Sequence, residues 1–298
     1  MNDLTAPIFK KKKEVNYGVS LINAPDFWNQ SIEGKGVTIA VIDSGCFIEH
    51  EELKENIIDK YNFTTDDESD ISNVTDYLGH GTHTAGIIAA RNKKNTISVA
   101  PKAKLVILKV ISKNGTGSYE NLVKAINFAT EWRGKNNEKI DVINLSLGGP
   151  NKDFALRKAV AKAIAININI VAAAGNSGDG SELTNEILYP GYYKDVIQVA
   201  AIDQNIIPTT FSNTNINIDF LAPGNDIYST FNDGNYISLS GTSMAAPHVS
   251  GAIALLNEFF RISNIPSTQE KIYDYLVSHS NVLKNYSTKI QGNGLIQL

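Results

Sequence analysis

Short, nearly unbroken apolar runs recur along the chain, and the stretches between them carry apolar residues every three to four positions. The runs 37–42 (VTIAVI), 105–110 (LVILKV), 142–147 (VINLSL), 168–174 (INIVAAA) and 196–201 (VIQVAA) are short and rich in β-branched residues. They show no apolar/polar alternation, which predicts strands buried on both faces, as in a parallel sheet. Helical spacing fills the intervals at 83–91, 119–132 and 154–166; in the second, Leu122, Val123, Ile126 and Ala129 share one face. Strand and helix in alternation define an α/β fold with a central, mostly parallel sheet flanked by helices.

After the run at 196–201 the pattern changes. Pro223-Gly224 and Asp233-Gly234 punctuate residues 220–239 as turns, and two late helices are predicted at 244–260 and 267–278. No internal repeat, low-complexity tract or long linker interrupts the sequence, so residues 18–298 read as one domain. Residues 1–17 carry Lys10 to Lys13 in a row with no apolar period, and read as a solvated N-terminal extension.

Charge and cysteine usage remove several function classes. A net charge of −4 argues against a nucleic-acid partner, which leaves a basic footprint. Cys46 is the single cysteine, so no intramolecular disulfide forms and no oxidising compartment is needed. The first twenty residues lack the apolar core of a signal peptide. The most apolar long stretch, 159–175, is interrupted by Lys162, Asn167 and Asn169, so no membrane span is expected. The expected location is the cytoplasm.

Four segments carry candidate chemistry, and each has a plain alternative. Asp43 closes the first strand beside Ser44-Gly45, where a carboxylate can orient a base or serve as a turn residue. His80, between Gly79 and Gly81, can act as a general base or as a loop histidine. A zinc pair of His80 with His83 lacks both the four-residue spacing and the intervening glutamate of a helical zinc motif. Ser243 stands at a predicted helix start, where free N–H groups stabilise an oxyanion, although a serine there can equally be a cap. Asn176 follows an apolar strand in Gly175-Asn176-Ser177-Gly178, placed to donate to a developing negative oxygen or to make a turn. All four fall at strand ends or a helix start, which one crevice can gather.

The surrounding text resembles the subtilisin family of serine proteases, and its intracellular bacterial members most. The matching blocks are VIDSG at Asp43, GHGTHTAG at His80, INLSLGGP at 143–150, and AAAGNSGDG at Asn176. YPGYYKDVIQVAA from Tyr189, APG at 222–224 and SGTSMAAPHVSG at Ser243 follow, in family order. The order Asp, His, Ser is that of subtilisin, the type case. The resemblance implies a three-layer subtilisin-like fold and a serine endopeptidase with Ser243 as nucleophile, His80 as base and Asp43 as its orienting acid. Asn176 and the Ser243 N–H would form the oxyanion hole. Peptide or unfolded protein would lie extended between Gly115-Thr116-Gly117 and Ser146-Leu147-Gly148, held by main-chain hydrogen bonds.

Some features depart from the family pattern. Ser177 stands where many relatives carry an acid, and Leu188 where they carry a small residue, which implies a shallower first specificity pocket. The resemblance implies structural Ca²⁺, not needed for the chemistry. The loop 91–97 reads Arg-Asn-Lys-Lys-Asn-Thr-Ile, however, and Glu52 replaces an aspartate; Asp219 is a candidate for a second site. Residues 1–17, with Pro7, resemble the inhibitory extension of intracellular members loosely. Cys46 and Met244 lie near the triad and are candidates for chemical sensitivity. The expected role is broad-specificity proteolysis. A dedicated processing or leader peptidase, an inactive peptide-binding scaffold and a metal-dependent hydrolase are the alternatives, and a homodimer stays open.

Overall fold

A computed structural model describes residues 16–95 and 98–298. The strands are β1 (Thr38–Asp43), β2 (Ile57–Asn62), β3 (Lys104–Lys109), β4 (Val142–Leu145), β5 (Asn169–Ala173), β6 (Ile197–Ile202), β7 (Phe220–Pro223), β8 (Ile227–Thr230) and β9 (Tyr236–Leu239). The helices are α1 (Tyr17–Leu21), α2 (Ala24–Trp28), α3 (His80–Ala89), α4 (Tyr119–Glu131), α5 (Phe154–Ala165), α6 (Thr242–Ile262), α7 (Gln269–His279) and α8 (Thr288–Gln291). Seven strands form one sheet in the order β2-β3-β1-β4-β5-β6-β7, paired in parallel throughout. β8 and β9 make a separate antiparallel hairpin.

The period-two geometry of a strand divides the apolar runs between two cores. Ile39 and Val41 of β1 join Leu105, Ile107, Val171 and Val199 against α3 and α6. Ala40 and Ile42 join Val106, Leu108, Ile143 and Ile170 against α4 and α5. The predicted three-layer arrangement follows, helices on both faces of the sheet. α6 runs beneath the sheet with Ile253, Leu255 and Leu256 fully buried. Each such side chain stabilises the fold by about 1.5–3 kcal/mol relative to exposure.

Three long helices begin on side-chain caps. Ser118 accepts from the Asn121 N–H before α4, Asp153 from Leu156 before α5, and Thr268 from Lys271 before α7. α3 and α6 begin instead on Gly79 and Gly241, with no cap from those residues. These two helices carry His80 and Ser243.

α3 starts at His80, earlier than its predicted start at His83, because an outside carboxylate, Asp76, supplies its cap. The edge strands β2 and β7, the hairpin β8–β9 and the short helices α1, α2 and α8 have no counterpart among the predicted elements. Of the expected N-terminal extension, only Asn16 and Tyr17 lie among the described residues, and both belong to the folded body. The Asn16 amide donates to His248 Nε2 (3.1 Å), and the Tyr17 hydroxyl donates to the Asn225 carbonyl (2.9 Å). The inhibitory role implied for Pro7 lies outside the described residues.

Candidate active site

β1 lies between β3 and β4; the chain runs from β1 out to β2, back to β3 and then across to β4, so the winding reverses here and a crevice opens beyond the carboxyl ends of these strands. Asp43 is the last residue of β1 and is buried. Its Oδ1 accepts from the Ser44 N–H (2.7 Å) and from His80 Nδ1 (2.7 Å), and its Oδ2 from the Thr84 hydroxyl (3.3 Å). The bond to Nδ1 fixes the imidazole orientation and leaves Nε2 as the basic nitrogen. Burial lowers the His80 pKa, but the Asp43 charge and hydrogen bond, with Asp76, outweigh it. The net shift is upward.

A second carboxylate, Asp76, builds the approach to His80. Its Oδ1 accepts from the Ser44 hydroxyl (2.8 Å) and from the N–H groups of Leu78 and Gly79. Its Oδ2 accepts from the Thr82 N–H (2.8 Å) and hydroxyl (2.7 Å). The Ser44 hydroxyl in turn accepts from the Gly81 N–H (2.9 Å). Gly81 is required sterically: a Cβ there would lie 2.1 Å from the Gly45 carbonyl oxygen. Beneath this layer Lys109 is fully buried, donating to the carbonyls of Ser44 (2.8 Å) and Ile111 (2.9 Å) and pairing with Asp66 at 3.3 Å.

Ser243 is the second residue of α6. Its hydroxyl donates to the Ser146 carbonyl (3.1 Å), just past β4, while His80 engages Asp43. The Asn176 side-chain oxygen accepts from the Thr242 N–H (2.8 Å) and hydroxyl (3.0 Å). Thr242 thus fixes the amide plane and leaves the Asn176 NH₂ as the free donor. A Cβ placed on Gly241 would lie 3.3 Å from that nitrogen and 3.7 Å from the Ser243 nitrogen, so both donors border one small space. A helix N-terminus with its Ser243 N–H left open beside a fixed amide is a built anion cradle.

The two predicted substrate segments face one cavity of about 310 Å³, lined by Gly115, Gly117, Leu147 and Gly148 with Val110, Tyr119 and Leu122. Thr116 and Ser146 do not line it. Thr116 turns its hydroxyl to Asn114 (2.7 Å), and Ser146 points its own into the protein. Leu188 reaches toward Gly148: a Cβ on that glycine would meet Leu188 Cγ at 2.7 Å. Ser177 is exposed and is anchored through its N–H to Asn213 (2.7 Å).

The remaining candidates separate from the site. His83 is fully buried, and its Nε2 donates to the carbonyls of Ile227 (2.9 Å) and Ile237 (3.2 Å) in the hairpin, so it is no metal partner for His80. Cys46 is buried, and burial, then the nearby Asp76 charge, push its thiol pKa up; it behaves as an inert apolar residue. Met244 is buried against Ile87 and Ile227.

The two carboxylates singled out for calcium are engaged by other groups. Both oxygens of the buried Glu52 carboxylate face N–H groups, Lys93 at 2.9 Å and Lys94 at 2.8 Å. Lys93 and Arg91 pair with Glu55, and Lys94 with Glu51, so the surrounding acids are already matched by cations. At the second position, Asp219 accepts from the Gln198 N–H (2.7 Å) and the Tyr273 hydroxyl (2.7 Å). Burial pushes its pKa up to about 6. Among the described residues no group of three His, Cys, Asp or Glu side chains could hold a metal ion.

Comparison with known proteins identifies the family. Residues 34–294 match the model of the subtilase family. The chain is 45% identical over 296 residues to an intracellular serine protease of Paenibacillus polymyxa, covering 98% of this chain and 88% of that one. It is 41% identical over 288 residues to the major intracellular serine protease of Bacillus subtilis (96% and 88% covered), and 38% identical to subtilisin E of the same organism (96% and 71%). No helix among the described residues is long and apolar enough to cross a membrane. With the family match spanning most of its length, the chain belongs to the subtilase family of serine proteases.

Proposed function

We propose that the protein is a serine endopeptidase of broad specificity that acts in the cytoplasm through Asp43, His80 and Ser243. The observation that carries this reading is the 2.7 Å bond from His80 Nδ1 to Asp43, which orients the imidazole and leaves Nε2 free to act as the base for Ser243 at the start of α6. On substrate binding the Ser243 hydroxyl turns from the Ser146 carbonyl to His80 Nε2 and gives up its proton as Oγ attacks the peptide carbonyl. The oxyanion enters the space between Asn176 Nδ2 and the Ser243 N–H. The imidazolium, stabilised by Asp43, then protonates the leaving amine, and water hydrolyses the acyl-enzyme by the same steps.

Breadth follows from a cleft whose walls are largely glycine and main chain at 115–117 and 146–149, which grips any extended peptide. Preference comes from the apolar cavity between these segments and from Leu188. By occupying the space beside Gly148, Leu188 favours small or medium apolar side chains before the cut and disfavours arginine. The Glu52 loop is held by its own N–H groups and functions without calcium. Fluorophosphonate labelling followed by mass spectrometry tests the central claim. The adduct is expected on Ser243 and absent from Ser243→Ala; wild-type protein that takes no label refutes it. Casein digested beside a panel of defined peptides separates broad proteolysis from a dedicated processing role.

A further inference from the structure

Pro247 lies inside α6, four residues after Ser243. Proline has no N–H, so the helix cannot supply the donor that the Ser243 carbonyl would ordinarily receive. The Ser146 hydroxyl supplies it instead, donating to the Ser243 carbonyl at 2.8 Å. That hydroxyl accepts from Asn144 Nδ2 (3.0 Å), and Asn144 Oδ1 accepts from the Ser250 hydroxyl (2.8 Å). Asn144 and Ser250 are fully buried, and Ser146 nearly so.

Every donor in this chain has one direction. Ser250 donates to Asn144, Asn144 to Ser146, and Ser146 to Ser243. The relay leaves α6 two turns below the nucleophile, crosses to the end of β4 and returns to α6 at the nucleophile itself. From this geometry we infer that Ser146, held by Asn144 and Ser250, is a positioning residue that sets the backbone of the attacking serine. The inference rests on Ser243 being the nucleophile.

The chemistry gives the relay its purpose. Ser146 and Ser243 exchange two hydrogen bonds, side chain to backbone in each direction. One of them, from the Ser243 hydroxyl to the Ser146 carbonyl, must break when that hydroxyl turns to His80. The bond from Ser146 Oγ to the Ser243 carbonyl does not break. It keeps the peptide unit in place while Oγ attacks and the Ser243 N–H binds the oxyanion. Without it, an unpartnered carbonyl in the first turn tilts toward solvent and carries both reacting groups with it. Displacement by about 1 Å is enough to cost about 10²-fold in rate.

The test is a double-mutant cycle between Ser146 and Pro247, read by fluorophosphonate labelling rate and by kcat and KM on one peptide substrate. Ser146→Ala is expected to lower the labelling rate and kcat by about 10-fold, in keeping with a sub-ångström shift, with KM within about twofold. Ser146→Thr, which keeps a hydroxyl, is expected to recover most of the loss. Pro247→Ala restores the helical N–H, so in that background Ser146→Ala should cost less than about threefold. Equal cost in both backgrounds, a loss confined to KM, or no recovery with threonine overturns the inference. The threonine comparison stands without the proline variant, should that variant fail to fold. A wild-type protein that takes no label on Ser243 refutes the functional reading instead, whereas normal labelling of both wild type and Ser146→Ala overturns the relay alone.

Discussion

Two imidazoles are buried where they cannot accept a second proton, which predicts loss of stability in mild acid. His248 is fully buried; its Nδ1 donates to the Met244 carbonyl (2.8 Å) and its Nε2 accepts from the Asn16 amide (3.1 Å). Protonating Nε2 would set two donors against each other. Turning Asn16 around would forfeit its oxygen's bond from the Gly18 N–H (2.8 Å). His83 donates from Nε2 to the hairpin, and its Nδ1 is buried with no partner. Burial lowers both pKa values to about 4. In the unfolded chain each titrates near 6.5. The unfolded state therefore binds more protons between these values, and the stability these groups contribute above pH 6.5 is lost as pH falls toward 4. At pH 5 the loss is about 2 kcal/mol for each histidine, about 4 kcal/mol together.

That is a large share of the roughly 5–15 kcal/mol that holds an ordinary domain folded. His80 and Asp219, whose folded pKa values are raised, act in the opposite direction and offset part of it. The measurement is urea unfolding of Ser243→Ala, which cannot digest itself, at pH 7.5, 6 and 5, followed by the fluorescence of Trp28 and Trp132. The midpoint should fall between pH 7.5 and pH 5, by up to about 1 M once the offset is included. His248→Gln, although less stable overall, should show a clearly weaker dependence. A midpoint unchanged across this range, or a glutamine variant with the full wild-type slope, would refute the reasoning.

Other predictions follow from the same contacts. The acid limb of kcat/KM should lie above the ordinary imidazole value, because protonated His80 cannot take the Ser243 proton and its pKa is raised; a limb at or below 6.5 contradicts the assigned geometry. Asn176→Ala should lower kcat by about 10²–10³, the loss known for the equivalent asparagine of subtilisin itself, with little change in KM. Lys109→Met should cost about 3–5 kcal/mol in urea unfolding, since it leaves buried Asp66 without its cation, with only the Lys113 N–H on that oxygen, and removes the donor to two carbonyls. EGTA should leave the Tm unchanged within a degree if the Glu52 loop is satisfied by its own N–H groups; a chelator-induced drop of several degrees counts against it.

The central layer was legible because strands buried on both faces are apolar at most positions, as β1, β3, β4, β5 and β6 are, with polar residues mainly at their ends and only Asn144 and Gln198 inside. β2 escaped because it is an edge strand, half exposed, with the polar text IIDKYN. β7 has four residues and ends in Pro223, a residue that reads as a turn and is tolerated at a sheet edge. At the site, Asp43, His80, Asn176 and Ser243 were legible because each sits at an element end with a glycine close by. Asp76 was not: it looks like any loop aspartate until the chain folds and its two oxygens meet five donors. Thr242 was not legible either: it is the first residue of α6, and only the fold shows that it orients Asn176. Asn144 and Ser250 lie inside a strand and a helix, where a small polar residue gives no hint of its partner.

The helices that carry His80 and Ser243 forgo the local cap that α4, α5 and α7 have, a loss of about 1 kcal/mol each where nothing replaces it. Both are instead tied by residues outside the helix: Asp76, four positions ahead of α3, and the distant Ser44 hold the start of α3, while Asn176 and Ser146 hold the start of α6. A capping serine or aspartate at position 241 would put its oxygen beside Asn176 Nδ2 and the Ser243 nitrogen, the two donors meant for the oxyanion. Glycine there keeps the cradle open, and tertiary hydrogen bonds take over the work of fixing the helix. Local sequence rules fail at the start of α6 for the reason they fail at functional sites generally, since the Ser243 N–H that a cap would crowd is left for the substrate, whereas at α3 the same N–H groups are satisfied by Asp76 and Ser44.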